Sequence, residues 1–164
     1  MPDVRWKRPV RVHLERASLD HEADFLAAVR CSRRLHRPWV KAPGSAEKFR
    51  KYIERQDGMT NIAYFAFSDD DELVGVVNVS EIVRGPFQSA YLSYYGFAPH
   101  QKLGYMTVAL TAIVSTSFWK HGLHRLEVTA GAPVPSKASV RVFQDWRSLV
   151  RRVAMNVNST LRQL

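Results

Sequence analysis

A β-like segment, a short turn and a long apolar helix follow one another in the middle of this 164-residue chain. The segment covers residues 90–97, the turn reads Gln-Lys-Leu-Gly-Tyr-Met at residues 101–106, and the helix begins near Gly104. Free backbone N–H groups converge at such a helix N-terminus, where the helix dipole adds about half a positive charge. The turn has neither the glycine pattern of a P-loop nor that of a dinucleotide-binding fold. It predicts a seat for a phosphate-bearing cofactor that is held by backbone groups without Mg²⁺.

The composition is that of one globular domain. Hydrophobic residues make up 46% of the chain, and no apolar run approaches the ~20 residues that a membrane-spanning helix needs. The N-terminal residues show no apolar signal region. The single cysteine, Cys31, excludes an intramolecular disulfide and fits a reducing cytoplasm. We therefore expect one cytoplasmic domain over residues 1–164, with no membrane contact.

The chain is basic, with a formal net charge of +9. Solubility is the ordinary explanation of such a charge. A basic groove for a polyanionic cofactor or an acidic substrate is the alternative, because a basic surface attracts phosphate. No recognisable nucleic-acid-binding motif accompanies the charge, so we do not expect DNA as a partner.

Helix-like and β-like segments alternate along the chain, and short polar turns separate the β-like ones. Three consecutive β-like runs rich in β-branched and aromatic residues predict a meander. The order β-α-α-β-β-β-α-β predicts a layered α+β fold. The predicted strands are residues 10–14, 61–67, 73–83, 90–97 and 125–129, and the predicted helices are residues 22–35, 46–57 and 105–120.

Some side chains already have an expected place in this arrangement. Ser45 is positioned to cap the second helix, and Phe49 lies on the apolar face of that helix. Cys31 is interpreted as a small core residue, because it stands in a helix-like segment without an evident base. Phe118 and Trp119 are expected to be core aromatics beneath the sheet rather than cofactor contacts.

Several segments in a fixed order resemble a known family. Gln-x-x-Gly-x-Met at residues 101–106 is similar to the pyrophosphate signature Gln/Arg-x-x-Gly-x-Gly/Ala of the GNAT superfamily of acetyl-CoA-dependent N-acetyltransferases. Within that superfamily, the chain most resembles the ribosomal-protein N-terminal (Rim-type) acetyltransferases, over roughly residues 10–130. The resemblance implies an α+β fold with a mixed, mostly antiparallel sheet and flanking helices. It is carried by Leu-His-Arg-Pro-Trp-Val at 35–40, Ile-Val-Arg-Gly-Pro-Phe-Gln-Ser-Ala-Tyr-Leu at 82–92, Gly-Tyr-Met at 104–106 and Leu-His-Arg-Leu-Glu at 123–127.

The resemblance implies where acetyl-CoA lies. Two neighbouring strands of the family splay apart into a V-shaped opening, and the pantetheine arm pairs with the backbone there like an added strand. The pyrophosphate rests on N–H groups of the following turn, where Gly104 allows a close approach. The implied cofactor-binding residues are Tyr95, Gly96, Phe97, Gln101, Lys102, Leu103, Gly104, Tyr105, Met106 and Thr107.

The resemblance also implies direct attack of the acceptor amine on the thioester. The amine arrives as ammonium and needs a base, directly or through water. Glu127, on the strand expected to border the cleft, resembles the general base of related enzymes, and the alternative is a structural partner for Arg125. Glu81 is a second carboxylate candidate at the acceptor site. Arg37 and Trp39 lie in the region that shapes the acceptor site of the family.

One further role stays open. The departing thiolate needs a proton, and the candidate hydroxyls are Tyr94, Tyr95, Ser136 and Ser139. The histidines have no metal-ligand spacing, so no metal is expected.

After Gly131 the resemblance fades. Family members continue with Pro-x-Asn-x-x-Ser and later Gly-Phe, whereas here Pro133 stands at the Asn position and only Ser136 is retained. One hypothesis is a change of reading frame near Ser139, because the permitted codons of residues 139–143, shifted by one base, can spell Ala-Cys-Gly-Phe. The alternative is a genuine variant tail over residues 131–164.

Together these observations predict an enzyme that transfers an acetyl group from acetyl-CoA to a primary amine. The expected acceptor is a protein N-terminal α-amine, such as that of a ribosomal protein, or else an amino acid or small amine. The alternative, given the divergent tail, is a catalytically impaired CoA-binding or protein-interaction domain of the same fold. The protein is expected to be a monomer or a homodimer.

Overall fold

The computed structural model describes residues 10–129, which form a five-stranded sheet with helices on both faces. The strands stand side by side in chain order, and every neighbouring pair is antiparallel except the parallel pair of β4 and β5. The predicted meander and the mixed, mostly antiparallel sheet are therefore confirmed. The strands are β1 His13–Arg16, β2 Ile62–Phe67, β3 Leu73–Val83, β4 Ser89–Gly96 and β5 Arg125–Thr129.

The first part of the chain departs from its predicted boundaries. The first strand lies about three residues later than predicted, because the pairing with β2 runs through Arg16. The first predicted helix is divided at Ser32, whose N–H still donates to the carbonyls of Ala28 and Val29. A short 3₁₀ turn precedes it at Leu19–His21. The helices are α1 Glu22–Cys31, α2 Arg33–His36, α3 Ala46–Glu54 and α4 Tyr105–Trp119.

The two faces of the sheet bury different side chains. One face packs aliphatic residues of the strands against α4, with Leu14, Leu92 and Ile113 in that cluster. The other face packs α1 and α3 through an aromatic cluster around Phe25 and Phe49. All six residues of β2 are buried because both faces are covered there. Ser45 caps α3 as predicted, since its Oγ accepts from the Lys48 N–H at 3.4 Å.

The first turn of α4 is seated on a pair of glycines. Gly75 of β3 and Gly96 of β4 stand opposite each other, and the Met106 side chain lies over both. A Cβ at Gly96 would approach Met106 Cγ to 3.3 Å, and one at Gly75 would overlap the Met106 sulfur. The glycines therefore fix how closely the N-terminus of α4 approaches the end of β4.

Two core predictions are wrong. Cys31 is exposed at the end of α1, where its side chain faces away from the aromatic cluster. Trp119, the last residue of α4, is 84% exposed, because successive residues of a helix point about 100° apart and its neighbour Phe118 takes the buried position. Phe118 is partly buried against the aliphatic cluster, as predicted. Among residues 10–129, no helix combines the length and hydropathy that crossing a membrane requires.

Candidate active site

The turn between β4 and α4 presents unpaired backbone donors. Lys102 and Gly104 have φ angles of 63° and 93°, which direct successive N–H groups to the same side. Within residues 10–129, no backbone N–H of residues 101–106 has a hydrogen-bond acceptor. Thr107 differs, because its N–H donates to the Gly104 carbonyl at 3.1 Å. The turn is thus able to bind an anion through five or six backbone groups, with Lys102 as a nearby cation.

Glycine is required at residue 104 by its backbone angle. A φ of 93° is strained for any residue with a side chain, and a Cβ there would find only Val10 Cγ2, at an ordinary 3.8 Å. Within residues 10–129, the space in front of Gly104 is therefore open to a ligand.

The end of β4 directs a second set of backbone groups away from β3. The Phe97 N–H donates to the Val74 carbonyl at 2.9 Å, and backbone groups alternate along a strand. Gly96 consequently faces the side on which β5 lies. The described pairing of β4 with β5 ends at Ser93 and Thr129, the last described residue. The predicted V-shaped opening would lie directly beyond this point, and it stays a prediction.

Two side chains that the sequence did not single out as site residues hold this strand end. The His36 Nε2–H donates to the Gly96 carbonyl at 2.9 Å, and the Ser32 Oγ accepts from the Ala98 N–H at 2.9 Å. Both side chains are buried, and the His36 ring packs edge-to-face on Tyr95. We name Ser32 and His36 the clamp. The residues around them are largely polar and basic, so the local pattern gave no signal for the clamp.

The clamp predicts a measurable loss of stability on substitution. Replacing His36 with leucine leaves the Gly96 carbonyl without its donor, so we expect the free energy of unfolding to fall by about 1–3 kcal/mol. His36→Gln, whose amide can donate, should recover part of the loss. Urea unfolding measures both variants, and exposed His124→Leu is the matched control. Equal stability of the leucine and glutamine variants would contradict a role for this hydrogen bond.

The two candidate tyrosines differ in their surroundings. Tyr95 packs among His36 and Phe97, and burial raises the pKa of its hydroxyl. Tyr94 is 37% exposed. A raised pKa makes Tyr95 the poorer proton donor to a thiolate, so the surroundings favour Tyr94. Ser136 and Ser139 lie outside the described residues.

The candidate carboxylates lie along the first half of β4. Glu127 stands opposite Tyr91, and its Oε1 is 2.5 Å from Arg125 Nη2. Glu81 is exposed in an irregularity of β3 beside the same stretch, with a φ of 51°. Tyr91 precedes Tyr94 by three residues, about 10 Å of strand. Glu81 and Glu127 therefore both lie beside the first half of β4, before Tyr94 and before the strand end that leads to the anion-binding turn.

The predicted acceptor residues follow α2 directly. Arg37 and Trp39 are exposed, Trp39 to 52%. The N–H groups of Trp39 and Val40 both donate to the His36 carbonyl at 2.8 Å, which ties this turn to the clamp. His36 therefore bonds both to the end of β4 and to the turn that carries Arg37 and Trp39, which we name the acceptor turn. Among the described residues, no group of three or more His, Cys, Asp or Glu side chains is placed to hold a metal ion.

Comparison with known proteins agrees with this geometry. The model of the acetyltransferase (GNAT) domain family matches residues 11–145. The probable N-acetyltransferase YjcK of Bacillus subtilis is 31% identical over 102 residues, which are 62% of this chain and 55% of that protein. The ribosomal protein uS5-alanine N-acetyltransferase of Escherichia coli is 30% identical over 113 residues, 63% of this chain and 57% of that one. The chain thus spans little more than half the length of these relatives.

Solved structures share the fold at lower identity. The ribosomal-protein-S5-alanine acetyltransferase of Vibrio fischeri superposes with a TM-score of 0.69 at 16% identity, covering 87% of this chain and 81% of that one. RimJ of Mycobacterium smegmatis, in complex with CoA-disulfide, superposes with a TM-score of 0.68 at 18% identity, covering 82% and 71%. The resemblance to Rim-type acetyltransferases is confirmed in sequence by the E. coli relative, and the solved structures confirm the fold. With four fifths of its length matched by the family model, the chain belongs to the GNAT acetyltransferase family.

Proposed function

We propose that this chain transfers the acetyl group of acetyl-CoA to a primary amine, as one domain over residues 1–164. GNAT acetyltransferases use acetyl-CoA as the acetyl donor. The observation that carries the proposal is the run of N–H groups at residues 101–106, which have no acceptor within residues 10–129 and lie next to the outward-facing backbone of Gly96. A pyrophosphate fits the first group and a pantetheine amide fits the second.

The chain's own residues divide the work as follows. Gln101 to Met106 bind the pyrophosphate through their N–H groups, and Gly96 pairs with the pantetheine arm. Glu127 takes the proton of the acceptor ammonium through water. The free amine attacks the thioester carbonyl, so that a C–N bond forms and the C–S bond breaks. CoA leaves as a thiolate, which takes up a proton from a hydroxyl such as Tyr94, and the second proton that the attacking nitrogen releases returns to that hydroxyl through water.

We infer that the acceptor is a protein N-terminal α-amine rather than a polyamine. The E. coli relative is named as a ribosomal protein uS5-alanine N-acetyltransferase, whereas a structural neighbour from Vibrio cholerae, with a TM-score of 0.61, is a spermidine N-acetyltransferase. Exposed cations follow one another across α2 and the acceptor turn of this chain, and they repel a polycation. These cations are Arg33, Arg34, Arg37 and Lys41.

Calorimetric titration with acetyl-CoA tests the cofactor, and the release of free thiol tests turnover. We expect saturable binding, and turnover with a peptide that begins with alanine but not with the same peptide blocked at its N-terminus. Spermidine should be the poorer acceptor. Absence of binding at millimolar acetyl-CoA would contradict the proposal. Binding without turnover over a broad amine panel would favour the alternative of an impaired CoA-binding domain.

A further inference from the structure

A second group of cations lies at the end of the sheet remote from the anion-binding turn. Arg16 ends β1, Arg84 follows β3, and Lys120 and His121 follow the last turn of α4. The 15 residues of α4 separate this group from Gly104 by about 22 Å. A cofactor seated at the turn therefore does not explain it.

Direct contacts hold these residues together. The Arg84 guanidinium donates to the His121 carbonyl, and His121 Nε2 is 3.2 Å from the hydroxyl of Tyr64 in β2. Burial raises the pKa of this Tyr64 hydroxyl, and the positive charge of Arg16 partly offsets that rise. Arg16 Nη1 would lie only 3.2 Å from a Cβ at Gly58, so the guanidinium rests against the neighbouring loop. Four separate segments thus converge around His121.

Positive charges are crowded around His121 in this group. Burial lowers the pKa of His121, and the positive charges of Arg84, Arg16 and Lys120 lower it further. The ion pairs among residues 10–129 engage neither Arg16 nor Arg84. The nearby carboxylate of Asp57 is turned to its own loop, where it accepts from the Met59, Thr60 and Asn61 N–H groups. Gathering like charges in this way disfavours folding unless an anion is bound.

We propose that Arg16, Arg84, Lys120 and His121, with the Tyr64 hydroxyl, form a binding site for a phosphate group. Guanidinium groups match phosphate oxygens with paired N–H donors, and a phosphate accepts further bonds from a hydroxyl and a protonated imidazole. This site is independent of the acetyltransferase proposal, because it shares no residue with the anion-binding turn or the clamp.

Exposed aromatic side chains indicate that the phosphate belongs to a larger molecule. Trp119 is 84% exposed directly before Lys120, and Phe87 is 74% exposed in the turn that carries Arg84. The His124 N–H donates to the carbonyl of Gln88 at 2.7 Å, which joins the two segments. An exposed aromatic ring beside bound phosphate is suited to stack on a base. Free phosphate and the phosphate group of a nucleotide would be bound through the same contacts. Binding experiments distinguish these two ligands.

Titration of the full chain with inorganic phosphate, against chloride at equal ionic strength, tests the site by NMR of the histidine rings. We expect saturable binding that raises the pKa of His121, since an anion offsets the surrounding charges. Arg16→Gln and Arg84→Gln should each weaken binding about tenfold or more. Arg30→Gln removes an exposed cation on α1 and is the matched control. Equal loss in the control variant, or a response to phosphate no greater than to chloride, would overturn the proposal.

A 5′-nucleotide and a short single-stranded oligonucleotide distinguish the two sources of phosphate. Tighter binding of the nucleotide than of inorganic phosphate, with the difference lost in Trp119→Ala, identifies a base-bearing ligand. Equal binding of nucleotide and inorganic phosphate identifies free phosphate and still supports the site. Nucleotide binding that persists in Arg16→Gln and Arg84→Gln contradicts it. Because acetyl-CoA binding is not required in any arm, failure here leaves the acetyltransferase proposal untouched.

Discussion

Replacing Phe25 with alanine is expected to lower the free energy of unfolding by about 3–5 kcal/mol. Phe25 is fully buried, and its ring lies 4.7 Å from that of Phe49, 5.4 Å from Phe65 and 5.8 Å from Phe97. It therefore joins α1 and α3 to the sheet. Its removal leaves a cavity among rigid rings that cannot collapse to fill it. A domain of ordinary stability, about 5–15 kcal/mol, would retain little margin.

Urea unfolding followed by circular dichroism measures this loss. Phe25→Leu keeps most of the buried volume and should cost less than half as much. Leu19→Ala changes a side chain that is 54% exposed and serves as the control for an apolar truncation, with an effect within about 0.5 kcal/mol. A loss below 1 kcal/mol for Phe25→Ala would show that the aromatic cluster repacks freely. Because Phe97 begins the turn to α4, acetyl-CoA binding should weaken in parallel with stability.

The sheet was predictable where local chemistry sets the boundaries. The bounds of β3 and β5 match the predicted residues 73–83 and 125–129. Acidic residues at 69–71 and the Arg-Gly-Pro sequence at 84–86 end the apolar run of β3 on both sides, and such turn residues act through their own backbone preferences. The position of β1 was less predictable. The alternation of apolar and polar residues begins at Val10, whereas the pairing with β2 begins only at His13.

The clamp could not be predicted from local sequence. His36 lies 60 residues from Gly96 along the chain, and Ser32 lies 66 residues from Ala98. Only the folded arrangement brings α2 to the end of β4. The same holds for Trp119, because which residues of an apolar helix face the sheet depends on how the helix packs in the fold. Glu81 likewise adopts its positive φ through the irregular pairing of β3 with β4.

The anion-binding turn shows the opposite case. Gln101 to Met106 are contiguous, and the local sequence pattern alone predicts the strand, the turn and the helix N-terminus. Its role as the pyrophosphate seat came from the family resemblance and remains a proposal. The cation group around His121 combines residues from four segments, so net charge alone gave no indication of where the charges meet.

Replacing Glu127 with glutamine is expected to lower kcat about 10²–10⁴-fold, because the amide cannot accept the proton of the acceptor ammonium. The affinity for acetyl-CoA should stay unchanged, since Glu127 stands opposite Tyr91 and away from the anion-binding turn. Stability should change little, because the carboxylate lies on an exposed ion pair with Arg125. The expected result is therefore a separation of turnover from binding.

Arg125→Gln decides between the two roles of this carboxylate. It removes the same ion pair but leaves the carboxylate in place. If Glu127 is the base, turnover falls sharply only in Glu127→Gln. If the carboxylate serves only as a partner for Arg125, the two variants behave alike and retain turnover. Thiol release at saturating acetyl-CoA and peptide measures kcat, and Glu81→Gln, measured in parallel, tests the second carboxylate of this stretch of β4.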